Sequence, residues 1–341
     1  YMYILAHDLG TSGNKATLFD ESGLLIASRT AAYPTDYASG NRAEQNPHDW
    51  WKAIVDTTQA LLELVSPADI AGVALSGQMM GCLCVDKNGR PLRPHMLYCD
   101  QRSQEEEMIL SEKIDPLHFY EITGHRISAS YSIEKLMWVK KHEPEIFAQT
   151  AKILNAKDYI NFRLTGAAGT DYSYASGTGA FDLRRMCYVD AYIRDAGLRR
   201  ELFLEPGQSH ELLGRVTVQA ATEIGLCPGT LVARGGVDNA CMALGSCGLG
   251  DDRVYMSLGS CAWISATTRQ PVLDSALHPF VFAHVEKGWY CSAVSIWSAC
   301  TSLSWAKEML CRDFSAQTDA YQRLDALAAE APIGANGVLF N

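Results

Sequence analysis

Within the first 33 residues three short apolar stretches, 3–7, 16–19 and 24–33, follow one another with only turns between them, the first turn rich in glycine and the second reading Glu21-Ser22-Gly23. A parallel crossover needs a dozen or more residues, so strands joined this closely pair antiparallel and the chain must begin as a meander. No G-x-G-x-x-G follows the first stretch. A dinucleotide-binding βαβ unit, and with it a Rossmann oxidoreductase, is excluded.

Asn46-Pro47 then reads as a helix N-cap with proline in the first turn, and Trp50, Trp51, Ile54, Val55, Thr58, Leu61, Leu62 and Val65 recur at helical spacing. Strands are expected at 70–75, 82–85 and 152–154, and helices at 102–113, 133–142 (ended before Pro144) and 156–164. This alternation defines an α/β class. A strand at 230–234 runs into Gly235-Gly236 and a helical stretch at 239–244, with Asp238 near the helix start. Beyond Gly250 come strands at 254–258, 262–266, 280–284 and 289–294, then helices at 303–310 and 320–329, so a second meander followed by helices is expected. Both meanders carry Leu-Gly and two small residues at a turn: Asp8-Leu9-Gly10-Thr11-Ser12-Gly13 and Ser257-Leu258-Gly259-Ser260-Cys261. Such turns offer backbone N–H groups and hydroxyls to phosphates, or are plain hairpins in which glycine supplies a positive φ.

At 341 residues the chain exceeds one ordinary core, so two domains, or one and part of another, are expected. Its formal charge of -10 argues against nucleic acid and anionic membrane partners. The longest apolar run, 70–85, is broken by Ser76 and Gln78 and too short to span a bilayer. Eleven scattered cysteines without a C-x-x-C pair suit a reducing, cytoplasmic compartment. The nine histidines form no H-x-x-x-H or His/Cys/Asp cluster, so no dedicated transition-metal site is expected.

Six segments in order, Asp8-Leu9-Gly10-Thr11-Ser12-Gly13, Glu44-Gln45-Asn46-Pro47 with Trp50-Trp51, Gly77-Gln78-Met79-Met80-Gly81, Cys99-Asp100-Gln101-Arg102, Lys157-Asp158-Tyr159 and Gly235-Gly236-Val237-Asp238-Asn239-Ala240, resemble the FGGY carbohydrate kinases, in their xylulokinase-like branch. The resemblance implies an actin-like, ribonuclease-H-like pair of domains closing on MgATP and a sugar. It implies ATP-dependent phosphorylation of a ketopentose such as D-xylulose, with another ketose, a polyol, a sugar acid or a catalytically silent binding module as alternatives. Residues 1–246 are expected to form the sugar- and phosphate-binding domain and 247–341 part of the nucleotide-binding domain, because family members carry a later glycine-rich adenosine loop and a longer second domain. A homodimer is left open.

Asp238, after a strand and two glycines, has the position and chemistry to accept a proton from a sugar hydroxyl, and by resemblance it is the catalytic base. An N-cap aspartate is the plain alternative. Asp8 would serve Mg2+, or merely start a turn. Thr11 and Ser12 would hold the β and γ phosphates, with Lys15 the nearby cation, and Gly259 and Ser260 would hold the nucleotide. Gln78, Met79 and Met80 would line the sugar site. Xylulokinase-like members usually have His where Met80 stands, which puts D-xylulose itself in question; core filling is the other reading of the two methionines. Asp100 and Arg102 would bond sugar hydroxyls or pair with each other.

Overall fold

The computed structural model describes residues 2–38, 41–258, 262–296 and 298–338. The opening meander is present as β1 (Tyr3–Leu9), β2 (Gly13–Asp20) and β3 (Leu25–Ala32), each antiparallel to the next. Strand alternation turns Leu5 and Leu9 of β1 and Ala16 and Leu18 of β2 into the core that also holds Trp50, Ile54 and Leu61 of helix α1 (Pro47–Leu62). Helix α1 starts as its sequence predicts, with Asn46 Oδ1 accepting from the His48 N–H at 3.1 Å and Pro47 in the first turn. Each large apolar side chain buried here contributes about 1.5–3 kcal/mol. Asp8, between Leu9 and His7, points to the opposite face and is exposed.

Strand β4 (Ile70–Gly77) lies parallel to β1, with Asp8 opposite Ser76 and Leu9 opposite Gly77. Beyond it come β5 (Leu212–Arg215), β6 (Leu231–Ala233) and β7 (Gly236–Val237), giving the order β5-β6-β4-β1-β2-β3 with β7 also on β4. Both β6 and β7 run parallel to β4, so they are one strand interrupted at Arg234-Gly235. Gly235 has φ 73°, and a Cβ there would lie 2.0 Å from the Leu75 carbonyl oxygen, so only glycine allows the interruption to press this closely on β4.

Further helices used below are α2 (Gln104–Lys113), α3 (Ser132–His142), α4 (Ala156–Thr165), α5 (Tyr172–Ser176) and α6 (Asp238–Cys247). A second apolar cluster, including Leu110, Phe119, Leu136 and Phe203, lies under residues 82–203.

The later strands are β8 (Arg253–Leu258), β9 (Ala262–Thr268), β10 (Phe280–Ala283) and β11 (Tyr290–Ile296), followed by α7 (Cys300–Leu310) and α8 (Ala320–Glu330). They do not form the simple second meander that the sequence suggests, because β11 rather than β10 neighbours β9. The chain divides into two compact units, Tyr1–Arg253 with Ala266–Ser292, and Val254–Ser265 with Ala293–Asn341. Within the first unit β10 is drawn onto the helical region. The Val281 N–H donates to the Gly124 carbonyl at 3.0 Å and the Ala283 N–H to Ser176 Oγ at 3.1 Å. The second unit holds β8 from Val254 on, the start of β9, the end of β11, and α7 and α8. Among the described residues no helix is long and apolar enough to cross a membrane.

Candidate active site

Because β1, β4 and β7 are parallel neighbours, their C-terminal ends lie on one edge of the sheet, where open α/β sheets bind ligands. Asp8 comes from the first, Ser76 and the Gln78-Met79-Met80 loop from the second, and Asp238 from the third. Ser76 Oγ donates to Asp8 Oδ1 at 2.7 Å. Asp238 is the first residue of α6, half-buried, and accepts from the Asn239 N–H at 2.7 Å. Burial, and after it the Asp8 carboxylate, push Asp238 up to about 7, so the two carboxylates are close enough to repel each other. Neither forms an ion pair among the described residues. Two carboxylates without a countercharge are oxygen donors of the kind that a hard cation such as Mg2+ takes up, so their chemistry fits that metal.

The loop after β4 leans on the same place. Asn239 Nδ2 lies 3.9 Å from Met79 Sδ, and Met79 is buried. Met80 has φ 64°, a left-handed conformation that costs a methionine on the order of 1 kcal/mol. Gln78 is buried and tied by its backbone, its N–H donating to the Leu9 carbonyl at 2.9 Å and its carbonyl accepting from the Tyr174 hydroxyl at 2.8 Å.

The turn after β1 is anchored by its carbonyls. Gly10 O accepts from the Tyr33 hydroxyl at 2.6 Å, Thr11 O from the Gln45 amide at 2.6 Å and Ser12 O from the Tyr33 N–H at 3.2 Å. The N–H groups of Thr11 and Ser12 have no acceptor among the described residues, which leaves them for an anion. Lys15 is exposed and directly across the β1–β2 ladder from Asp8, on the same face. Gln45 also joins this turn to the loop after β4, since its Oε1 accepts from Gln78 Nε2 at 2.8 Å and from the Trp50 indole at 2.9 Å.

A buried polar scaffold holds β7 behind Asp238. Lys157 Nζ donates to the Arg234 carbonyl at 2.9 Å and to Asp158 Oδ1 at 2.9 Å, and stands 3.2 Å from Asp171 Oδ1. Asn161 Nδ2 donates to the same Arg234 carbonyl at 2.8 Å. The Val237 N–H donates to Ser173 Oγ at 2.9 Å, and Ser173 Oγ donates in turn to Asp171 Oδ2. Burial first, then Asp158, Asp238, Asp171 and Asp8, push the Tyr174 hydroxyl far above its usual range. Tyr174 also packs against this scaffold, with Lys157 Nζ 4.4 Å from its ring centroid. Gln45 and Lys157 stand in sequence segments that match the family, yet nothing in those segments assigns them these roles; Tyr33, Tyr174, Asp171 and Ser173 carry no sequence signal at all.

Of the two roles open to Asp100 and Arg102, the structure has them paired. Asp100 is fully buried and its oxygens take the Ala43 N–H at 2.8 Å, Arg102 Nε at 2.9 Å and Arg102 Nη2 at 2.6 Å. Arg102 also reaches Glu44 Oε1 at 2.7 Å, the carboxylate that Arg93 engages at 2.5 Å. The pair thus fixes the strand that carries Gln45. Gly259 and Ser260 lie outside the described residues.

The geometry has counterparts among known proteins. The model of the FGGY family of carbohydrate kinases, N-terminal domain, matches residues 3–245. The chain is 33% identical to the xylulose kinase of Bacillus subtilis over 99% of its own length and 67% of the relative's. It is 32% identical to that of Escherichia coli over 90% of the chain and 63% of the relative. The chain therefore spans about two thirds of the length of these curated relatives. The crystal structure of xylulose kinase from Rhodospirillum rubrum superposes with a TM-score of 0.90 at 26% identity, covering 99% of this chain and 69% of that one. The sheet order and its antiparallel second strand are accordingly those of the actin-like ATPase fold expected from the sequence. With the strand-edge carboxylates, the anchored turn and this match all falling in the same 243-residue stretch, 3 to 245, the chain belongs to the FGGY family of carbohydrate kinases.

Proposed function

We propose that the protein transfers the γ-phosphoryl group of MgATP to a hydroxyl of a ketopentose such as D-xylulose. The observation that carries this reading is that Asp8 and Asp238 stand at the C-terminal ends of two parallel strands that flank β4, in a chain whose relatives are named xylulose kinases. Asp238 accepts the hydroxyl proton, the freed oxygen bonds to the γ-phosphorus, and the bond from that phosphorus to the bridging oxygen breaks with its electron pair leaving on ADP. Asp8, with Asp238 opposite, would hold Mg2+, which when bound neutralises phosphate charge. The Thr11 and Ser12 N–H groups and Lys15 orient the phosphoryl oxygens. Residues 1–246 serve as the sugar- and phosphate-binding domain and the remainder belongs to the nucleotide-binding domain.

One observation favours a neighbouring substrate. Met80, half-buried beside the buried Met79, offers a thioether where a hydrogen-bonding ring would suit xylulose, so another ketose, a polyol or a sugar acid is the second reading. Turnover by the purified protein, followed as ADP release with MgATP across these sugar classes, separates the two. In the preferred sugar Asp238→Asn is expected to lower kcat at least ~100-fold while sugar binding changes little. Unchanged kcat in that variant removes Asp238 as the base.

A further inference from the structure

Glu105 and Glu106 stand in the first turn of α2, and His142 is the last residue of α3. One ligand atom from each of the three lies within 4.8 Å of the others. Glu106 is only 1% exposed, and neither of its carboxylate oxygens has a hydrogen-bond partner among the described residues. Acidic residues suit a helix N-terminus, but that accounts for the charge and not for its burial. An unpartnered buried carboxylate is costly, and a fold retains one where something else satisfies it.

The surroundings specify what would satisfy it. His142 Nε2 stands 3.8 Å from Glu106 Oε1, too long for a hydrogen bond. Two donors on a tetrahedral ion with ligand bonds of about 2.1 Å are roughly 3.4 Å apart, so a small side-chain rotation brings this pair to metal-binding distance. The His142 ring stacks on Trp138 at 4.8 Å and 22°, which fixes its plane. Two carboxylates and a neutral imidazole balance a divalent charge. An imidazole in the set selects zinc or a neighbouring first-row ion over Mg2+ and Ca2+, which prefer oxygen alone. Lys141 pairs with Glu105 Oε1 at 2.5 Å, but both side chains are about half exposed, so the pair is weak and yields to an ion.

We propose that Glu105, Glu106 and His142 form a zinc-class metal site that clamps the start of α2 to the end of α3. The site goes beyond the kinase reading and does not depend on it. His142 lies 36 residues after Glu106, a separation that no metal-binding sequence pattern flags. The clamp adjoins the Arg102–Trp138 contact, where the guanidinium lies 5.0 Å from the ring centroid, and so stiffens the ion-pair network behind Gln45.

Calorimetric titration of the chelator-treated protein with Zn2+, and with Mg2+ as the control, tests the site. One Zn2+ equivalent is expected at this site, with Glu106→Gln and His142→Ala each weakening it at least ~10-fold, while any Mg2+ uptake at Asp8 and Asp238 is the same in both variants as in the native protein. Zn2+ should raise the Tm of the native protein and leave that of Glu106→Gln unmoved. Glu106→Gln is near-isosteric and removes a buried charge, so it folds; His142→Ala alters an exposed residue and supplies the same readout independently. Cysteines also bind zinc, so the ligands are read from the Co2+ form, whose spectrum should lack thiolate charge-transfer bands. No Zn2+ uptake, uptake equal in both variants, or thiolate bands from the bound ion overturns the proposal.

Discussion

Burial acts in opposite directions on the two titratable residues that matter most at this sheet edge. Asp238 has no ion-pair partner among the described residues, so burial and the charge of Asp8 raise it to about 7 and leave it poised between acid and base near neutrality. Burial alone would depress the Lys157 ammonium, but Asp158 and Asp171 outweigh it and raise its pKa, so Lys157 stays charged. The first arrangement suits proton transfer and the second suits holding a backbone still. Lys157→Met tests the second. It strands Asp158 and Asp171 in the interior and removes one of the two donors to the Arg234 carbonyl. The expected cost is about 3–5 kcal/mol in urea unfolding. If the turnover proposed for Asp238 is present, kcat should fall in the folded fraction as well, since β7 loses its support. A stability change under about 1 kcal/mol would mean that the cluster is protonated and slack rather than ionic.

At the level of elements, the interrupted strand decides where Asp238 emerges. Its break depends on Gly235, so Gly235→Ala should destabilise by about 3 kcal/mol, from a strained left-handed residue together with a Cβ pressed against the Leu75 carbonyl. Gly245, inside α6 with nothing within 4 Å of a would-be Cβ, is the control: Gly245→Ala should stabilise by about 0.5–1 kcal/mol. Equal stabilities for the two variants in urea would remove the close approach from the account. The glycine pair and the helix beginning at Asp238 were legible in the sequence because both are local. So were the opening meander and α1, which rest on turn chemistry and on a periodicity that runs for four turns. The helices at Pro116–Thr123 and Val218–Ile224 were not, although Asp115 and Thr217 cap them, because two turns hold too few apolar positions to establish a period. The place of β11 beside β9, the pairing of Asp100 with Arg102 and the scaffold around Lys157 depend on which distant segments meet, and no local pattern encodes that.

Across the whole molecule the chain does not use its length in sequence order, since residues 266–292 return to the first unit. His125 is at the centre of that return. Its ring lies 4.5 Å from Phe282 and 4.8 Å from Tyr131, and its Nε2–H donates to the Ser176 carbonyl at 2.9 Å. Complete burial lowers its pKa from 6.5 to about 3, against that one hydrogen bond. Between those values the unfolded chain binds a proton that the folded one refuses. The stability tied to His125 is therefore fully present above pH 6.5 and is lost as pH falls toward 3. At pH 5 the loss is about 2 kcal/mol, 1.5 pH units below the unfolded value at 1.36 kcal/mol each. Asp238 and Glu134, raised by burial to about 7 and about 8, run the other way and gain stability as pH falls, so the slope of the native protein mixes both signs. A difference between two proteins isolates the histidine. His125→Phe fills the same apolar slot with a ring that cannot take a proton, at a pH-independent cost for the unmet Ser176 carbonyl. Urea unfolding of both proteins at pH 7 and pH 5 should find the variant less acid-sensitive by about 2 kcal/mol. An equal drop in the two proteins would mean that His125 accepts its proton in place, and that the returning segment is held by Val281 and Ala283 without it.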